Sequence, residues 1–104
     1  MFLIQLADKE LETTRQKYAV GEVSPADYDR AKMVHDMTVA GLQNNPNEQE
    51  RLKLKIADFD LDVAKKKLAV GCITQSEFDW IKLGHDAEVS HYKLMQTGAE
   101  NSSH

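Results

Sequence analysis

Two His-Asp pairs, His35-Asp36 and His85-Asp86, stand fifty positions apart in a chain of 104 residues. An imidazole beside a carboxylate can ligate a divalent metal or exchange a proton near neutral pH. Phosphate-ester hydrolysis at a metal centre would need further His and Asp ligands spread over a much longer helical domain. The remaining histidines, His91 and His104, read as exposed residues. The single thiol, Cys72, would need an activating base to act as a nucleophile, and the sequence places none beside it. These residue types therefore give no catalytic site, and the chain reads as a non-enzyme.

The spacing of the His-Asp pairs has a simpler origin. Residues 4–43 align with 54–93 without a gap, and twelve of the forty pairs are identical, among them Ala7/Ala57, Asp8/Asp58, Leu11/Leu61, Gly21/Gly71, His35/His85 and Asp36/Asp86. The chain is a tandem duplication. Within each copy the apolar period is helical. Ile4, Ala7, Leu11, Thr14 and Tyr18 step by three and four, as do Leu54, Ala57, Leu61, Ala64 and Leu68. Tyr28, Ala31, His35, Thr38 and Leu42 continue the stripe in the first copy, and Phe78, Ile81, His85, Glu88 and Tyr92 in the second.

Between these runs lie AVGEVSPADYD (19–29) and AVGCITQSEFD (69–79), two versions of one corner. Gly21 and Gly71 suit the left-handed residue that ends a helix. Ser24 and Thr74 are N-caps, with Asp27 and Glu77 at the third helical position to complete a capping box. Pro25 opens the second helix, where its missing N–H costs nothing. Val23 with Tyr28, and Ile73 with Phe78, have the spacing of a hydrophobic staple. The basic run Lys65-Lys66-Lys67 falls in a last turn, where it complements the helix dipole. In the linker Asn44-Asn45-Pro46-Asn47, Asn45 caps and Pro46 restarts.

The second corner, KKKLAVGCITQSEFDWIK (65–82), resembles the short C-terminal SHOCT type of helical hairpin. The first, TRQKYAVGEVSPADYDRAK (14–32), is similar to the hairpin tip of periplasmic membrane-fusion proteins of efflux pumps. Each resemblance covers about twenty residues. The efflux tip carries an Arg eleven positions and a Leu seven positions before its Ser. Thr13 and Lys17 stand there in copy one, Val63 and Lys67 in copy two. The resemblances therefore imply hairpin geometry and, from SHOCT, an interaction or self-association role.

The fold expected is all-α: a duplicated helical hairpin (3–43 and 53–96, linker 44–47) forming an antiparallel four-helix bundle. It would be one domain over 1–97 with a flexible tail at 98–104. In such a bundle His35 and His85 fall on the inward stripe, and counting back from the corners sets Leu11 and Leu61 at their level with Glu10 and Asp60 beside them. That layer is a candidate site for zinc or another divalent metal, or for a pH response. Two substitutions between the copies point outward instead. Phe59 replaces Lys9 and Trp80 replaces Arg30, so Phe59, Trp80 and Leu83 are candidate partner contacts.

Thirteen Lys and Arg against seventeen Asp and Glu give a formal net charge of −4, with both signs interspersed. A nucleic-acid phosphate backbone wants a positive stripe, so that partner is not expected. No run of eighteen apolar residues occurs, so no membrane insertion is expected. A lone cysteine and an N-terminus without a basic n-region lead to a cytoplasmic expectation. The leading function is a protein–protein interaction module (adaptor, inhibitor or self-assembling subunit). The second is a metal- or ligand-binding bundle using the His35/His85 layer.

Overall fold

The computed structural model describes residues 2–102, with side chains described through residue 97. These residues form α1 (Phe2–Ala19), α2 (Pro25–Leu42), α3 (Pro46–Ala69) and α4 (Gln75–Ser102), with no strand among them. The chain is all-α, as its three-and-four apolar spacing predicts. No helix among the described residues is long and apolar enough to cross a membrane.

Both corners are built as their sequences require. Gly21 and Gly71 have φ of 80° and 77°. The Glu22 N–H donates to the Lys17 carbonyl at 2.8 Å, and the Gly21 N–H to the Tyr18 carbonyl at 3.1 Å. The Cys72 and Gly71 N–H groups repeat this with Lys67 and Leu68 at the same distances. This is a Schellman ending, in which the glycine turns left and the orphan carbonyls find donors. Ser24 then caps α2, its Oγ accepting from the Asp27 N–H at 3.0 Å. Thr74 and Glu77 form a reciprocal box, the Glu77 N–H donating to Thr74 Oγ1 at 3.1 Å and the Thr74 N–H to Glu77 Oε1 at 3.3 Å.

The linker follows the same grammar with asparagine in glycine's place. Asn44 has φ of 56°, and the Asn45 N–H reaches back to the Ala40 carbonyl at 2.9 Å. Asn45 Oδ1 accepts from the Glu48 N–H at 3.3 Å, capping α3.

By proximity the residues group into two compact units, Met1–Leu52 and Lys53–His104, each containing one hairpin. In the first unit Tyr18 stacks on Tyr28 beside the corner, ring centroids 4.8 Å apart, while Asp8 meets His35 farther from it. Contacts that open outward from the turn define an antiparallel pair. Ala7, Leu11 and Thr14 face Ala31, Val34 and Thr38 across a shallow groove. Beyond that pair, Gly41 leaves room for the Gln49 side chain, whose Nε2 would lie 2.5 Å from any Cβ placed there. In the second unit Val63 and Ala64 of α3 line a groove with Ile73 and Ile81.

The apolar core is small. Among the described residues only Ala40, Leu52, Ile56 and Ala64 are hydrophobic and less than a tenth exposed. Burial stabilises by roughly 25 cal/mol per Å² of apolar surface. With so little area, polar ties between the helices of a hairpin carry more weight.

One boundary differs from expectation. The tail expected from Gly98 is helical through Ser102, because one glycine costs a helix only about 1 kcal/mol and Ala99 and Glu100 are good helix formers. The remainder of that expected tail, 103–104, lies outside the described residues.

Candidate functional site: histidine clamps and the outer face of α4

The helical stripe brings His35 to the inner side of α2, where its side chain is 18% exposed. Its Nε2 lies 2.6 Å from Asp8 Oδ1 on α1, and its Nδ1 lies 3.1 Å from Asp36 Oδ1. The second hairpin reproduces the arrangement almost to the decimal. His85 Nε2 is 2.6 Å from Asp58 Oδ1 on α3, and Nδ1 is 3.2 Å from Asp86 Oδ1. Each histidine thus ties one helix of its hairpin to the other.

A neutral imidazole has one N–H, whereas an imidazolium has two and satisfies both carboxylates. The hydrogen bond to Asp8 holds the His35 pKa above its ordinary value against some desolvation, with Asp36 adding to the effect. Asp58 first, then Asp86, does the same for His85. The arrangement favours a protonated clamp.

The carboxylates on the rings are Asp8 and Asp36 for His35, and Asp58 and Asp86 for His85, where the expectation had named Glu10 and Asp60. Glu10 lines the first groove with His35, and Asp60 lines the groove in the second unit. Both ring nitrogens of each histidine face carboxylate oxygens. Among the described residues, no three His, Cys, Asp or Glu side chains gather at metal-binding spacing. The clamp partners had a signal in the sequence, since Asp8/Asp58 and Asp36/Asp86 are among the twelve identities between copies.

Glu88 stands in the seam where copy one has Thr38. Its Oε2 is enclosed without a hydrogen-bond partner among the described residues, whereas the Thr38 hydroxyl donates to the Val34 carbonyl at 2.9 Å.

The outer face of α4 differs in kind. Trp80 is 74% exposed and Leu83 60% exposed, and with Ser76 and Asp79 they line an open groove. Phe59, the third expected contact, is half-buried on α3 and does not line that groove. Cys72 is exposed in the second corner.

The chain matches no known protein family, no curated protein and no solved structure.

Proposed function

We propose that this protein is a non-enzymatic helical interaction module that docks through the outer face of α4. One observation carries the reading: a tryptophan and a leucine lie side by side on the solvent face of a helix whose opposite face already fills the hairpin seam. Leaving a large aromatic in water forgoes roughly 1.5–3 kcal/mol of burial, and such residues anchor interfaces when covered. Copy one has Arg30 where copy two has Trp80, so the hairpin does not need an aromatic at this position. The acidic, mixed-sign surface supports a protein partner over nucleic acid. An exposed lone thiol suits a reducing compartment, and we read the location as cytoplasmic.

Trp80→Arg gives copy two the residue of copy one. Expected are unchanged helicity by circular dichroism and loss of partner or self-association. Association surviving at wild-type strength would remove the proposal.

A further inference from the structure

The α4 face can be read further than its exposure. Ser76, Trp80, Leu83, Ala87, Ser90 and Leu94 alternate by four and three, and all are exposed. At 100° per residue they form one stripe, opposite the half-buried Phe78, His85, Val89 and Tyr92. The stripe runs about 27 Å at 1.5 Å per residue. Its four-and-three spacing is that of a coiled-coil seam, and no second helix covers it among the described residues.

We infer that the missing helix is α4 of a second copy of this chain, packed antiparallel. This rests on the interaction reading above and names the occupant. Residue sizes argue first. With the two helices centred on residue 85, Trp80 lies across from Ser90 of the second copy, Leu83 across from Ala87, and Leu94 across from Ser76. Every large side chain meets a small one, and the twofold axis repeats each match. A parallel pair in register would set tryptophan on tryptophan and leave the small residues facing each other.

Charge argues second. The residues flanking the stripe on one side are Asp79, Asp86 and Lys93, all exposed. In the antiparallel register Asp79 lies beside Lys93 of the second copy, twice by symmetry, and the like-charged contact is the central Asp86 pair. Each Asp86 already accepts from its own His85 Nδ1, which offsets part of that repulsion. Parallel helices separate Asp79 from Lys93. On the other flank the central position is Gly84, where a Cβ would meet nothing within 4 Å, so the two backbones can approach. One helix pair buries an area at the small end of specific interfaces, which suits a reversible dimer.

Sedimentation equilibrium of the full chain tests this, with emission from Trp80, the single tryptophan, as a second readout. Expected are a monomer–dimer equilibrium, a blue shift on association, and a dissociation constant raised about a thousandfold in Trp80→Arg, the factor for two hot spots of about 2 kcal/mol, one from each copy. Asp79→Lys alone and Lys93→Asp alone weaken the dimer, and the double swap restores it. Failure of the double swap to rescue overturns the antiparallel register. A wild-type chain that stays monomeric at every concentration overturns the second copy as occupant. If that monomer still captures a host protein through Trp80, the interaction reading stands without this inference. If it captures none, both fall.

Discussion

Each histidine clamp is a titrating tie between two helices, and its pH dependence follows from the direction of its shift. His35 and His85 are held above the ordinary histidine value of about 6.5 by carboxylates. A group whose folded pKa is raised contributes fully below its unfolded pKa and loses that contribution as pH rises through the folded one. The clamps therefore stabilise the hairpins on the acid side of about 6.5 and release above it. A charge-assisted hydrogen bond is worth roughly 1.5–3 kcal/mol, but the Asp8 and Asp58 side chains are 59% and 62% exposed, which cuts each tie to about 1 kcal/mol. His35→Gln should melt about 4 °C below the parent at pH 5.5 and close to it at pH 9; an equal deficit at both values would show a packing defect and no clamp. Glu88 makes the opposite case, with an enclosed carboxylate oxygen that finds no donor among the described residues. Glu88→Met should raise the melting temperature, by about 1 kcal/mol equivalent. The sequence stripe placed both histidines inward, while the choice of their partners went astray. Counted from the helix ends, His35 is the eleventh residue of α2 and Lys9 the eleventh back along α1, so level leaves Asp8 and Glu10 equally near and Asp8 is the one that meets the ring.

The corners are where one element becomes the next, and their chemistry is local enough to read directly. Gly21 and Ser24 in one corner, and Gly71, Thr74 and Glu77 in the other, act within six residues of one another, so each corner is set by its own local sequence. Nothing lies within 4 Å of a Cβ built at Gly21, Gly71 or Gly84, which separates backbone strain from crowding. Gly71→Ala keeps every contact and forces a left-handed alanine, costing about 1–2 kcal/mol. Gly84→Ala lies inside α4 with ordinary helical φ and should stabilise by about 1 kcal/mol in dilute solution. Melts of the two variants should move in opposite directions; both falling would mean that α4 is crowded at Gly84. Asn44 was harder to foresee, because asparagine caps the start of a helix as readily as it turns left at the end of one. The linker sequence offers both, and the chain uses Asn44 to stop and Asn45 to start.

At the scale of the chain, duplication explains why one set of ties appears twice, and the differences between copies show what each was free to change. The clamp, the turning glycine and the caps are kept in kind. The outer position of Arg30 becomes Trp80, and the half-buried Met33 gives way to an exposed Leu83, which is where an interaction face could arise without touching the hairpin. Helix class was legible because it rests on periodicity. The grouping into two units was not, since identical stripes serve a lone hairpin and half a bundle equally well. The clamps offer a thermodynamic test of that grouping. Asp8, His35 and Asp36 belong wholly to one unit, and Asp58, His85 and Asp86 wholly to the other, with no member in common. Losses from residues that share no partner add within about 0.5 kcal/mol. If the two units unfold independently, His35→Gln should shift one urea transition at pH 5.5, His85→Gln the other and the double variant both, and the double variant should vary least with pH of the four proteins. One shared transition that both single variants shift would mean that opening one hairpin already releases the other, making the pair a single cooperative unit.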